Sequence, residues 1–387
     1  MGCISELGIY IHFPWCRKLC PYCDFAVEVG APPHEAYRDA VLVELARRAS
    51  AFSDGERALA SIYFGGGTPS LWEPACIADV IAAVRERWSG VPREVTIEAN
   101  PTDCTAERLA AWRRAGISRI SIGVQSLEPQ ALVTLGRDHR FGDGREAVAR
   151  AIDAGFDVSA DFILGVPGAN EDVVALAPHL SVYELTIEER TAFGQRVRDG
   201  RLVPLDEELL EARYVAAHES LTAKGYEHYE ISSYAMPGKR AVHNSLYWSG
   251  APFLGLGVGA ASLEVHASGA GARATNPRRW TDYASDPGEP AEKIVMSPSE
   301  MASDRAWLGM RTSDGVAEVA LTATPGLADK LVTEGLAVRR VRHDVTYICP
   351  TLRGFLMADR IAARIVESWG DPGELPRMWR DDEGAAL

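Results

Sequence analysis

Cys16, Cys20 and Cys23 stand in a C-x3-C-x2-C array, directly after the apolar run from Gly8 to Phe13 and on a stretch broken by Pro21. Thiolates this close on one loop can converge on one inorganic centre. Three is the informative number. A structural zinc site closes with four ligands, and iron–sulfur clusters kept for electron transfer usually take four cysteines. A [4Fe–4S] cluster held by three protein thiolates leaves one iron open to a small molecule.

The elements that must position such a loop follow from hydrophobic periodicity. Strands are predicted at Gly8–Phe13, Ser61–Phe64, Glu94–Ala99, Arg119–Val124, Val158–Leu164 and Leu180–Ile187. Helices are predicted at His34–Ala51, Ala75–Trp88, Thr105–Ala115, Pro129–Leu135, Asp143–Ala154 and, briefly, Glu171–His179. Strands alternating with helices imply right-handed crossovers and a parallel sheet. Six such units predict an α/β fold with a partial (β/α)6 barrel, whose chemistry sits at the C-terminal ends of the strands. Polar and glycine residues collect at those ends: the cysteine loop, then Gly65-Gly66-Gly67-Thr68, Glu98, Gln125 with Arg137 beyond it, and Asp161 before Gly165. Turn punctuation accounts for some of these glycines.

The chain of 387 residues is long enough for a barrel and a smaller domain. A formal charge of −14 argues against non-specific nucleic-acid binding. The chain shows no apolar run long enough to span a membrane and no basic-then-apolar leader. Seven cysteines, four of them scattered, suit a reducing compartment, so a cytoplasmic location is expected.

Six blocks together resemble one family. They are Tyr10-Ile-His-Phe-Pro-Trp-Cys16, Tyr63-Phe-Gly-Gly-Gly-Thr-Pro-Ser70, Thr96-Ile-Glu-Ala-Asn-Pro101, Arg119-Ile-Ser-Ile-Gly-Val-Gln-Ser126, Asp161-Phe-Ile-Leu-Gly-Val-Pro167 and His179-Leu-Ser-Val-Tyr-Glu-Leu-Thr-Ile-Glu188. They resemble the coproporphyrinogen-oxidase-related branch of the radical S-adenosylmethionine (SAM) superfamily. The resemblance implies that Cys16, Cys20 and Cys23 bind a [4Fe–4S] cluster. It implies that Tyr22, Gly66, Gly67, Thr68, Glu98, Gln125, Arg137 and Asp161 contact SAM, and that Tyr10 lies near SAM and the substrate. Reductive cleavage of SAM to methionine and a 5′-deoxyadenosyl radical is the chemistry implied. The residue types suit it: glycines admit close backbone approach, carboxylates accept from an ammonium and ribose hydroxyls, and Arg forks onto a carboxylate.

The second half separates the members of this branch. His243-Asn-Ser-Leu-Tyr-Trp248 matches the HNxxYW motif typical of the heme-chaperone (HemW) family. That resemblance implies heme binding through His243 and delivery to an acceptor hemoprotein, which can be a membrane protein; acceptor and electron donor stay unnamed. A His beside Tyr and Trp can ligate heme iron against an aromatic wall, or hydrogen-bond a loop while the aromatics pack the core. Two other readings are an oxygen-independent coproporphyrinogen III oxidase and a radical SAM methyltransferase. The oxidase usually carries a fourth cysteine, C-x3-C-x2-C-x-C, and a longer extension before the array. Here Phe25 fills the fourth-cysteine position, and fifteen residues precede Cys16. The chain also departs from the heme-chaperone pattern, with Ala261 where Gly-Ala-His is usual, Ala241 in place of a common cysteine, and His266 as a candidate substitute.

The expected division is a radical SAM barrel at 1–200, a post-barrel segment with the HNxxYW motif at 201–266, a linker or mobile insertion at 267–298, a winged-helix-like domain at 299–369 and a tail at 370–387. Within the winged-helix-like domain, helices at Glu300–Met310, Gly326–Glu334 and Leu352–Val366 bracket strands Leu336–Val341 and Val345–Ile348. The acidic balance favours a docking or lid role for that domain over DNA binding.

Overall fold

The computed structural model describes residues 6–53, 57–88, 90–138, 142–169, 173–321 and 326–367; the expected tail at 370–387 lies outside them. One large sheet organises the chain. Its strands are β1 (Glu6–Phe13), β2 (Ala58–Gly66), β3 (Glu94–Ala99), β4 (Arg119–Gln125), β5 (Asp157–Leu164), β6 (His179–Glu184), β7 (Glu227–Glu230), β8 (Ser233–Ala235), β9 (Phe253–Leu256), β10 (Ala261–Val265), β11 (Gly271–Thr275) and β12 (Glu292–Met296). Their spatial order is β12-β11-β10-β9-β1-β2-β3-β4-β5-β6-β8-β7. From β9 to β6 every neighbouring pair is parallel, which is the partial barrel expected from the sequence. The expected strand at Glu94–Ala99 is observed at those bounds.

Alternation along β1 shows how the sequence builds this shape. Leu7, Ile9, Ile11 and Phe13 are fully buried on the outer face and join one core with Val41 and Leu45 of helix His34–Arg48 and Ile77, Val80 and Ile81 of helix Pro74–Arg87. Between them Gly8, Tyr10 and His12 point to the opposite face, into the barrel, as the period of two requires. Helix Ala106–Ala115 starts on a Thr105 side-chain cap and stops at Gly116, whose φ of 100° suits a residue without Cβ.

Two expectations fail here. Residues 173–178 form no helix. The Ala177 carbonyl accepts from the Tyr226 hydroxyl at 2.7 Å, and the Pro178 carbonyl from Met236 N at 2.8 Å, so these groups serve the sheet end instead. The stretch 267–298 is sheet rather than linker: β10, β11 and β12 form an antiparallel meander that continues the barrel sheet, with helix Trp280–Ser285 between the last two. Glu44, fully buried on helix His34–Arg48, ties this region down. It accepts from Arg48, Asn276, Tyr283 and Gly257 N at 2.7–2.8 Å.

The C-terminal region has its own core, including Trp307, Met310, Leu331, Ile348, Ile361 and Ile365. A three-stranded antiparallel sheet, Val316–Ala317, Val345–Pro350 and Ala337–Arg342 in spatial order, packs with helices Pro298–Gly309, Leu327–Thr333 and Ala358–Glu367. The wing turn sits at His343-Asp344, both at positive φ (48° and 62°), as a tight two-residue hairpin demands. The single final helix expected at Leu352–Val366 is two, Leu352–Phe355 and Ala358–Glu367.

Candidate functional site

Beyond β1 the chain enters the cysteine loop, which is tethered along its length. Gly67 N donates to Phe13 O, Glu28 N to Pro14 O and Phe193 N to Pro21 O, each at 2.8 Å. His12 Nε2 donates to Ala26 O at 2.9 Å, and its Nδ1 accepts from the Tyr10 hydroxyl at 3.1 Å. Arg190 pairs with the Asp24 carboxylate at 2.7 Å, and Arg278 donates to the Asp24 carbonyl at 2.8 Å. The three thiols are half-buried and free. Thr68 Oγ1 donates to Cys16 Sγ at 3.4 Å, and Arg137 Nη1 to Cys20 Sγ at 3.8 Å. Burial pushes the Cys16 and Cys23 thiols up, Cys23 to about 11, so thiolates here need a cation to form.

The triple glycine closes β2 directly beneath this loop. A Cβ on Gly67 would lie 2.7 Å from the Pro14 carbonyl oxygen and 3.0 Å from Cys16 Sγ, and one on Gly66 within 2.7 Å of the His12 ring. Only glycine lets β2 approach the cluster loop this closely. Glu98, at the end of β3, accepts from the Tyr63 hydroxyl at 2.8 Å and from Gly66 N at 3.0 Å. Burial, with a smaller contribution from Asp161, raises its carboxyl to about 7 despite those donors. Asp161 on β5 accepts from Ser121 Oγ at 2.9 and 3.0 Å and from Ser159 Oγ at 3.2 Å, and burial raises it too. Gln125 ends β4 at φ 63°, an unusual place for a side chain of its size, beside Gly123. Arg137 reaches back to Asn100 Oδ1 at 2.5 Å and to the Gly123 carbonyl at 3.4 Å. Tyr22 packs with Leu135, Val166 and Phe193.

The residues expected from the sequence therefore meet at one mouth. Tyr63, Asn100 and Ser121 belong there as well. All three lay inside the family blocks, and Tyr63 and Gly65 share a face by simple alternation, which is the signal that identifies the tyrosine.

Whether this mouth suits a cluster and SAM is tested by what it leaves unsatisfied. Arg137 Nε is buried without a partner. Glu98 and Asp161 are deep carboxyls with no Lys, Arg or His within ion-pair distance among the described residues, an arrangement that calls for a cationic ligand. No three His, Cys, Asp or Glu among the described residues are set to hold a single metal ion; a four-iron cube spreads its thiolates over different irons. The donor set fits a cluster with a small zwitterionic, cationic ligand.

The barrel floor is built differently. His243, on helix Val242–Trp248, is 1% exposed. Its Nδ1 lies 2.8 Å from Ser61 Oγ and its Nε2 2.8 Å from the Tyr247 hydroxyl, while Tyr63 stacks on the ring at 5.0 Å. The helix amides of Val242 and His243 donate to Glu94, which also faces Arg119 at 3.8 Å. Burial lowers His243 to about 3, with Arg119 adding to the effect. Both ring nitrogens of His243 are engaged within the protein, so ligation of heme iron through this ring would require one of these hydrogen bonds to be given up.

Comparison with known proteins shows the family. The model of the radical SAM superfamily matches residues 10–177. The chain is 37% identical to the heme chaperone HemW of Escherichia coli over 288 residues, 71% of this chain and 75% of that protein. The chain belongs to the HemW family. HemW of Bacillus subtilis is 32% identical, with 80% of this chain and 84% of that protein covered. Mouse radical S-adenosyl methionine domain-containing protein 1, mitochondrial, is 34% identical over 81% of this chain. The fold matches coproporphyrinogen III oxidase (HemN) of Escherichia coli at TM-score 0.75 and 20% identity, over 93% of this chain and 90% of that one. Membership implies a [4Fe–4S] cluster and SAM. Among the described residues no helix is long and apolar enough to cross a membrane.

Two departures from the HemW pattern now have places. Ala261 is exposed and opens β10, at the mouth end of the sheet, because β9 runs parallel to β1 and β10 returns antiparallel. His266 follows the last residue of β10, so roughly 16 Å of strand separates it from Ala261. It does not substitute for the missing histidine. Ala241 is buried at the start of the His243 helix.

Proposed function

We propose that this protein binds heme and hands it to acceptor hemoproteins, as a HemW-type chaperone with a [4Fe–4S] cluster and SAM at its mouth. The observation that carries this reading is the extent of the HemW likeness: 288 aligned residues, longer than the radical SAM span at 10–177. The substitution at the fourth-cysteine position supports it, since Phe25 stands there with its side chain 54% exposed.

Cys16, Cys20 and Cys23 would hold the cluster, and Gly66, Gly67 and Thr68 would pass the methionyl end of SAM. Arg137 would meet its carboxylate, while Glu98, Gln125 and Asp161 would meet the ammonium and ribose, with Tyr10 and Tyr22 bordering the pocket. When bound, the pair supplies reductive SAM-cleavage chemistry. The protein's own part is to exclude water with Tyr22 and Phe193, fix the loop through Asp24, and hold carboxylates where positive charge arrives. We place the barrel at 1–200 and the winged-helix-like domain at 299–369, the latter as a docking or lid element, and the whole protein in the cytoplasm.

The test is to incubate the anaerobically reconstituted, reduced protein with SAM and either heme or coproporphyrinogen III, then analyse products by mass spectrometry and add an apo-hemoprotein. Intact heme passed to the acceptor is expected. A decarboxylated porphyrinogen or a methylated product overturns the reading in favour of the oxidase or the transferase.

A further inference from the structure

One row of inward-facing side chains joins the floor of the barrel to its mouth. Register sets Ser121 of β4 beside Ser159 of β5, Ser159 beside His179 of β6, and Asp161 beside Ser181. The period of two then puts Asp161 on the same inner face as the others. Ser121, Ser159, His179 and Ser181 are all buried, so their polar atoms are satisfied by one another and not by solvent.

The protons in this row have one consistent arrangement. Burial, with Arg119 adding to it, holds His179 well below its ordinary range, so the ring is neutral and carries a single proton. Its Nδ1 lies 2.7 Å from Ser159 Oγ and its Nε2 2.8 Å from the Tyr229 hydroxyl. The Tyr229 oxygen already accepts from Ala241 N at 3.3 Å. With the ring proton on Nε2, that oxygen would accept twice. The Tyr229 proton would then lack an acceptor among the described residues, since the neighbouring Ser233 Oγ makes no hydrogen bond. Ser159 would also have to donate to Nδ1 and turn away from Asp161. With the proton on Nδ1 every group is used. Tyr229 O–H donates to His179 Nε2, His179 Nδ1–H to Ser159, and Ser159 O–H to Asp161 Oδ1 at 3.2 Å. Ser121 Oγ completes the set around that carboxylate at 2.9 and 3.0 Å.

The far end of the row is anchored outside the parallel strands. Tyr229 stands on β7, whose backbone is held by the C-terminal region: Ser313 N donates to Tyr229 O and Ile231 N to Arg311 O, each at 2.9 Å. Ala241, which donates to the Tyr229 hydroxyl, is the N-cap of the helix that carries the HNxxYW motif. Hydrogen bonds running in one direction polarise one another, and the partners behind a ligand-contacting group set its orientation. Resting on the assignment of Asp161 to SAM above, we infer that His179 and Tyr229 are positioning residues for Asp161, aiming its carboxylate at the ligand through Ser159. SAM affinity at the mouth thereby depends on a tyrosine from the second half of the chain.

The experiment measures SAM affinity by equilibrium dialysis of the full-length, anaerobically reconstituted protein, and reads the His179 tautomer by nitrogen NMR of histidine-labelled protein. Wild type is expected to carry the His179 proton on Nδ1. Y229F, which keeps the ring and removes only the hydroxyl, and H179A are expected to bind SAM about tenfold more weakly. H179N, whose amide nitrogen replaces the Nδ1–H donor, is expected to bind within about twofold of wild type. Wild-type affinity in either Y229F or H179A, an H179N as weak as H179A, or a ring protonated on Nε2 overturns the relay and leaves the SAM site standing if D161A still loses SAM. A D161A protein that binds SAM as tightly as wild type overturns the assignment of Asp161, and the relay with it.

Discussion

The mouth and the floor of the barrel are both lined by buried polar side chains, yet they differ in how those groups are satisfied. On the floor, His243, His179, Ser61, Glu94 and Arg119 find partners within the protein, and the Thr96 hydroxyl is the buried exception. At the mouth, Arg137 Nε is an orphan, and burial raises the Glu98 and Asp161 carboxyls, neither of which has an ion-pair partner among the described residues, Arg119 acting on Asp161 only from beyond that distance. A closed network stiffens a fold, while an open one awaits a ligand. Residue type does not separate the two, because histidine and glutamate occur at both levels. What separates them is whether the last hydrogen bond is made.

The sharpest way to break the comparison is at the cysteines. Replacing Cys16, Cys20 and Cys23 together by alanine is expected to abolish iron and sulfide incorporation while leaving the far-UV circular dichroism unchanged. Iron content equal to wild type sinks the three-ligand assignment. The floor should respond in the opposite sense. His243→Ala strands Ser61 and Tyr247 and opens a cavity beside Tyr63, so a loss of about 3 kcal/mol in urea unfolding is expected, with the hemin spectrum unaltered. A His243→Ala protein of wild-type stability would show that the floor is not a closed network.

Glu98 gives a smaller effect with a defined sign. Its folded carboxyl titrates near 7, above its ordinary value of 4.5. The stability it confers as a neutral acid is complete below pH 4.5 and is lost as pH rises through 7. Glu98→Gln should therefore stabilise the ligand-free protein by on the order of 2 kcal/mol at pH 8 and by nothing at pH 4, while weakening SAM binding. Thermal melts across that range decide it; a stabilisation independent of pH would rule the carboxyl out as the cause. The smallest effect is expected from Arg190→Ala. Its guanidinium is largely exposed, so losing the pair with Asp24 should cost under about 1 kcal/mol. A larger loss in urea unfolding would make this tether part of the fold rather than a trim on the loop.

Much of the mouth was legible because its information is local. Each strand announces itself by alternation, and Gly65-Gly66-Gly67, Glu98, Gln125 and Asp161 sit at the ends where a parallel barrel must place them. The floor was not legible, because the meaning of His243 depends on Ser61 and Glu94, which reach it only after the sheet has assembled. The meander at 267–298 was missed for a related reason. Gly271–Thr275 is rich in small residues and reads as a loop, and Glu292–Met296 is an exposed edge strand; the first is a strand because β10 offers it a partner, and the second because β11 then does.

The pairing of β9 with β1 bears on the order in which the molecule assembles. Gly8 to Ile11 take Phe253 to Leu256 as parallel neighbours, a contact closed over roughly 240 residues and therefore slow to form. Until that late strand is synthesised, the first strand, the one that launches the cysteine loop, has an open edge on one side and lacks the Arg278 tether on Asp24. Cluster loading during synthesis should thus lag behind completion of the six-strand barrel. Nascent chains released before residue 253 should present β1 as an unprotected edge, the kind of surface that chaperones retain and that aggregates when they do not.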